Sequence, residues 1–254
     1  GTIFMLPSLN MYRMWSFGHN RVHHGFTSVR GMDYVWIPLT PQEYYARKWH
    51  QRLFYRIKRW PFTCAAHYLV DIWFNNMIRY NPGKDPKKRA YYRNNKLLSL
   101  SFFIAFSGLA YFSAGGVMGV ISAVILPFIV FNYVIALFVY LHHTHPEIPF
   151  FNERSEWNHV IGNLHCSTMV RCSKLGEIFT HNIMVHVPHH VDVRIPFYHL
   201  KQAYGDLKKQ YSDQMFEYRF RWSTIWGIFK QCKLYDYRLG KWYTFSEGRN
   251  VLHC

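Results

Sequence analysis

Sixteen histidines outnumber the 14 carboxylates in this 254-residue chain. Ten of them fall in three short clusters. The first is His19, His23 and His24, spaced i, i+4, i+5. The second is His142, His143 and His145. The third is His181 followed by His186, His189 and His190, the last three spaced i, i+3, i+4. Residues three or four apart share one face of a helix, so the first and third clusters can each aim two or three imidazoles at one point. The scattered His50, His67, His159, His165, His199 and His253 read as surface or hydrogen-bonded core residues. Neutral imidazole suits zinc, copper, iron and nickel. A catalytic zinc takes about three protein ligands, and seven or more histidines exceed one tetrahedral ion. Two metal ions are the economical reading, and a histidine-rich pair at a membrane surface points to iron and oxygen chemistry. Residue count alone leaves the metal open.

The elements that must position these clusters follow from the charge pattern. Residues 97–141 carry no Asp, Glu, Lys or Arg, and a bilayer core takes roughly 20 apolar helical residues to cross. The run therefore predicts two spans, about 97–116 and 117–141, broken at Ser113-Ala114-Gly115-Gly116. A soluble helical hairpin would keep a polar face, and none is present. The preceding segment, 41–96, is strongly basic. Positive flanks mark the cytoplasmic side, and a two-span hairpin returns to the side it left, which puts all three clusters there. Within the basic segment, Thr40-Pro41-Gln42-Glu43 predicts a helix start with a capping box. Trp49, Leu53, Ile57 and Trp60 then form a stripe beside Lys48, Arg52, Arg56 and Arg59, a pattern for a helix lying in an anionic headgroup layer. Residues 68–74 read as a second interfacial or re-entrant helix, and 81–86 as a loop. Aromatic-plus-basic sequence also suits single-stranded nucleic acid, but beside a transmembrane hairpin no nucleic-acid partner is expected. Five cysteines without a C-x-x-C pair argue against a zinc ribbon or disulfide framework. Residues 1–16 read as the end of an earlier membrane helix, with no signal-peptide pattern, so the chain is expected to be an N-terminal truncation.

Several motifs carry a resemblance to a known family. Trp15-Ser16-Phe17-Gly18-His19-Asn20-Arg21-Val22-His23-His24 resembles the second histidine box of membrane fatty acid desaturases, H-x(2–3)-H-H. His186-Val187-Pro188-His189-His190 resembles their third. Tyr140-Leu141-His142-His143-Thr144-His145-Pro146 is similar to the Q-H-T-H-P stretch of the acyl-lipid Δ12 and ω-3 desaturases. Ser155-Glu156-Trp157, Phe179-Thr180-His181-Asn182-Ile183 and Pro196-Phe197-Tyr198-His199 fit the same subgroup, and Asp33-Tyr34-Val35-Trp36-Ile37-Pro38 resembles the D-x-V-x-V-P that follows the second box. The resemblance covers nearly the whole chain. It departs in three places: the family's first box, H-x(3–4)-H, is absent; His142 stands where relatives carry glutamine; and His19 lies one position earlier than in the H-x(2)-H-H form, with Asn20 at the usual place.

The resemblance implies an all-α integral membrane protein: a single desaturase domain over 1–254, with 17–96 cytoplasmic or interfacial, the hairpin at 97–141, and a cytoplasmic helical cap at 142–254. It implies insertion of a cis double bond into a fatty acyl chain with O2 and two electrons at a di-iron centre. The implied metal ligands are His19, His23, His24, His145, His186, His189 and His190. His143, His181 and Asp192 stand as further ligands or supports, with Asp33 a second candidate acceptor. Phe128, Phe131 and Tyr133 are candidate linings of an acyl tunnel. The implied partners are the bilayer, an acyl lipid, and cytochrome b5 or a ferredoxin as electron donor, in a bacterial inner membrane or the endoplasmic reticulum. A histidine-box hydroxylase, acetylenase or carotenoid ketolase shares the scaffold. A histidine-rich metal transporter is a more distant alternative, since transporters place ligands inside spans and the hairpin's spans hold no histidine.

Overall fold

The computed structural model describes residues 1–252; His253 and Cys254 lie outside the described residues. The chain forms two compact units. One comprises Gly1–His19 and Cys64–Ala136, the other Asn20–Thr63 and Leu137–Cys254.

The first unit contains most of the apolar hairpin. Its first helix, Pro86–Ser113, starts eleven residues before the charge-free run, because Asp85 caps it by accepting the N–H groups of Lys87 and Lys88 and Pro86 suits the first turn. The helix ends at Ser113. Gly115 and Gly116 turn the chain at φ 92° and 70°, a region that side chains with a Cβ disfavour. The second arm runs Val117–His143, with a wider π-type stretch at Ile121–Ile125. The outer surface at the hairpin's turn is apolar and uncovered: Phe112 is 88 % exposed, and Leu109, Val117 and Met118 are each more than half exposed. His67–Ile78 is a π-type helix that buries His67, Tyr68, Ile72 and Met77. Residues 1–16 do not form one helix. Thr2–Met5 gives way to a tight turn at Leu6–Ser8 containing Pro7, Leu9 adopts φ 54°, and a new helix covers Tyr12–Phe17.

The second unit is also mostly helical. Thr40 and Glu43 form the expected capping box on Pro41–Ala46. That helix stops at Arg47, and a separate helix, Trp49–Lys58, carries the aromatic stripe. Trp49, Leu53, Ile57 and Trp60 are all exposed. Arg59 behaves differently from the other basic residues of the segment. It is buried, donating through Nη2 to the Trp36 carbonyl (2.7 Å), with its guanidinium 5.2 Å from the Tyr55 ring centre.

The sequence reading expects an all-α chain; the structure is mostly helical but adds two short two-stranded sheets. β1 (Thr168–Arg171) pairs in parallel with β2 (Phe216–Arg219), and β3 (Leu234–Asp236) pairs antiparallel with β4 (Lys241–Tyr243). Strands of three and four residues are too short to leave a readable alternation. Leu164, Met169, Val185, Val187, Leu200 and Tyr204 pack into one core beneath the third histidine cluster. Tyr44, Tyr55, Leu234 and Tyr243 form another around the β3–β4 hairpin.

Candidate metal centre

Four imidazoles converge inside the second unit. His186 and His190 lie four residues apart on His186–Val191, and this spacing sets their Nε2 atoms 3.2 Å apart. His143 closes the second hairpin helix and puts its Nε2 3.1 Å from that of His186 and 3.2 Å from that of His190. His23 brings its Nε2 to 3.1 Å from His143. His24 stacks flat on His190 with ring centres 4.0 Å apart, and His189 meets His24 edge-on at 4.8 Å. The ligand atoms of His143, His186 and His190, and those of His23, His24 and His190, form two groups, each within 4.8 Å, with His190 in both.

The outer ring nitrogens decide what the inner ones can do. His23 Nδ1–H donates to the Asp33 carboxylate at 3.1 Å, since an ionised carboxylate only accepts. His143 Nδ1–H donates to the Cys166 carbonyl at 2.8 Å. Thr27 gives its hydroxyl proton to the His23 carbonyl, so its oxygen accepts from His190 Nδ1–H at 3.3 Å. With Nδ1 protonated on all three rings, the Nε2 atoms of His23, His143 and His190 present lone pairs toward one another. Lone pairs aimed together at 3.1–3.2 Å repel unless a cation lies between them. Imidazole nitrogens about 2.0–2.1 Å from one ion stand about 2.9–3.4 Å apart in octahedral to tetrahedral geometry. The donor set and its spacing fit a metal centre.

Burial keeps the rings of the third cluster neutral and ready to ligate. His186 and His190 are held well below the usual histidine range by loss of solvent, then by neighbouring histidines, and His189 is pushed down to about 4 by burial and His23. His142 stacks on His186 at 3.9 Å and donates from Nε2 to the Met184 sulfur at 3.3 Å, so it supports the cluster from outside. Trp157 fixes the same wall by donating from Nε1 to the Thr27 carbonyl at 2.9 Å.

The structure brings His23, His24, His186, His189 and His190 together and adds His143 at their centre. It does not bring in His145, His181 or Asp192. The helix ends at His143, and His145 lies two residues beyond, its ring 4.1 Å from Phe216 and its Nδ1 accepting the Glu147 N–H. Burial lowers His145 to about 4. His181 is exposed, at φ 48° with its ring edge-on to Phe197. Asp192 pairs with Arg194 at 2.7 Å, and that guanidinium holds it at about 2. His19 belongs to the first unit, where it stacks on Trp15 at 4.5 Å. In the same unit Phe128 packs edge-on to Trp73, Phe131 is exposed, and Tyr133 is half-buried. Thr27 and the Cys166 carbonyl are supports that the sequence reading missed. Their role lies in tertiary placement, and no spacing signals it.

A mostly helical chain that buries five imidazoles as two potential ligand groups is consistent with a protein built around a histidine-held metal centre. Comparison with known proteins narrows this further. Residues 1–222 match the family described as Fatty acid desaturase, and the chain belongs to that family. It is 32 % identical over 240 residues to an sn-1 oleoyl-lipid 12-desaturase of Picosynechococcus sp., covering 93 % of this chain and 66 % of that relative. It is 28 % identical over 254 residues to the sn-1 oleoyl-lipid 12-desaturase of Synechocystis sp., covering 99 % and 70 %. It is also 29 % identical over 240 residues to a chloroplastic omega-6 fatty acid desaturase of Glycine max, covering 93 % and 54 %. The chain thus spans about two thirds of the length of these cyanobacterial relatives and about half of the plant one.

Proposed function

We propose that the protein is a membrane-bound, O2-dependent acyl-lipid desaturase of the Δ12 type, placing a cis double bond in a lipid-linked acyl chain at a centre of two irons. The observation that carries the reading is the convergence of the His23, His143 and His190 lone pairs with His186 at 3.1–3.2 Å in a buried site. The names of the relatives supply the substrate class. His143, His186 and His190 would hold one ion, and His23 and His24, with His190 or His189, would hold the other. His19 is the remaining ligand that the family resemblance implies, while His145, its ring held against Phe216, stands outside the set.

Bound there, the metal pair supplies the oxidising power that breaking an unactivated C–H bond demands. The chain's own residues do the rest. Asp33, Thr27 and the Cys166 carbonyl hold three rings with Nε2 inward. Burial keeps His186 and His190 unprotonated.

Membrane insertion is supported by the two apolar helices, Pro86–Ser113 and Val117–His143, whose most apolar stretches are only 11 % and 22 % buried inside the protein. The exposed Trp49, Leu53, Ile57 and Trp60 beside Arg52 and Lys58 suit the headgroup layer. In this arrangement the histidine clusters face the cytoplasm, Phe128, Phe131 and Tyr133 stand as candidate tunnel linings, and electrons come from cytochrome b5 or a ferredoxin. Metal analysis of the purified protein tests the centre. About two irons per chain, removable by chelation, are expected; zinc alone would overturn the reading.

A further inference from the structure

The carboxylate that opens the D-x-V-x-V-P-like segment after the first histidine cluster is among the most deeply placed in the protein. Asp33 is 6 % exposed overall, and its side chain is 1 % exposed. Oδ1 accepts the N–H groups of Tyr34 (2.7 Å) and Val35 (3.0 Å), and Oδ2 accepts the N–H of Ser28 (3.0 Å). Both oxygens face His23 Nδ1, at 3.2 and 3.1 Å. A carboxylate satisfied by three backbone donors has one orientation, and so does the ring that donates to it.

We propose that Asp33 is a positioning residue that selects the Nδ1–H tautomer of His23 and so turns its Nε2 lone pair toward His143. The inference rests on the metal-centre reading above and deepens it. An anionic acceptor raises the electron density of the ring it holds, so His23 becomes a stronger donor toward a cation than a histidine held by a neutral carbonyl. Of the three rings fixed through Nδ1, only His23 has a charged acceptor; His143 has the Cys166 carbonyl and His190 the Thr27 hydroxyl.

Asp33→Asn separates this role from simple loop support. The amide oxygen is drawn to the Oδ1 position, because an NH2 group there would confront the Tyr34 and Val35 donors. The NH2 group then occupies the Oδ2 position and donates to His23 Nδ1. That reverses the tautomer and puts a proton on Nε2, where it blocks ligation. The loop keeps two of its three backbone hydrogen bonds.

The test has two parts. In the unsubstituted, metal-free protein, nitrogen-15 histidine NMR, with the His23 signal assigned by His23→Gln, should show Nδ1–H and bare Nε2. The Asp33→Asn protein should show the reverse, and anaerobic titration with ferrous iron against a chelator should show affinity at one site falling by about 10- to 100-fold. A proton on Nε2 of His23 in the unsubstituted protein overturns the proposal, whether or not the variant folds. So does an Asp33→Asn protein with unchanged tautomer and iron affinity. Failure of the unsubstituted protein to take up iron would instead count against the metal-centre reading, and the tautomer result would stand apart from it.

Discussion

Acid should unfold the metal-free protein well above the range where carboxylates titrate. His186, His189 and His190 share one short helix. Burial, reinforced by neighbouring histidines, holds all three below their unfolded value near 6.5, His189 at about 4. As pH drops through 6.5 the unfolded chain binds protons that the folded chain refuses, so stability is full above that value and falls toward pH 4. Each ring contributes one proton of difference, which for three rings amounts to roughly 4 kcal/mol per pH unit between pH 6 and 5. That is a large share of the 5–15 kcal/mol typical of a folded domain. Urea unfolding in detergent micelles, after chelation, should therefore show the midpoint collapsing between pH 6.5 and 5. His189→Gln should reduce the slope by about one third. A midpoint that stays constant from pH 7 to 5 would refute the claim that these rings are buried and neutral. With iron bound, the metal competes with the same protons, so acid should release it over the same window.

Substitution should separate the two histidines that end the hairpin. His143→Gln should abolish one equivalent of bound iron, whereas His145→Gln, whose ring sits against Phe216, should leave iron content unchanged on elemental analysis. Gly162→Ala places a methyl group into the Trp157 ring, which anchors Thr27 through its indole N–H. A cost of about 1–3 kcal/mol, together with loosened iron, is expected in thermal melts and chelator titration. Thr40→Ala removes the hydroxyl that accepts the Glu43 N–H and should cost about 1 kcal/mol in chemical unfolding without altering iron content. Replacing Trp49 and Trp60 with serine should blue-shift less fluorescence onto anionic vesicles and weaken flotation of the detergent-diluted protein, because both rings are exposed on the aromatic–basic face.

How much of this could be read from sequence depended on the range of the interaction. The hairpin turn at 113–116 and the Thr40 capping box are local, written in glycines and in one i, i+3 pair, and they appear where expected. The pairing of His186 with His190 follows from helical spacing alone. Choosing among His142, His143 and His145 required knowing that the helix stops at His143 and that β2 supplies Phe216 and Tyr218 to hold His145. A four-residue strand leaves no periodic trace. Arg59 shows the same limit: Lys48 and Arg56 of the basic segment are exposed and Arg52 and Lys58 half-buried, but Arg59 is buried against Trp36, Tyr55 and Trp242, so net charge overstates the basic surface. Asp33 was legible as a nearby carboxylate, while its bond to His23 depends on the turn between them.

Product analysis tests the account most directly. The full-length protein is expressed in a host that makes oleoyl lipids but no polyunsaturated ones, with an electron donor supplied, and the acyl chains are examined by gas chromatography and mass spectrometry. A new cis double bond in the oleoyl chain, lost in His143→Gln and in His190→Gln, is the predicted result. A hydroxylated chain, or unaltered lipids from iron-loaded protein, would contradict it.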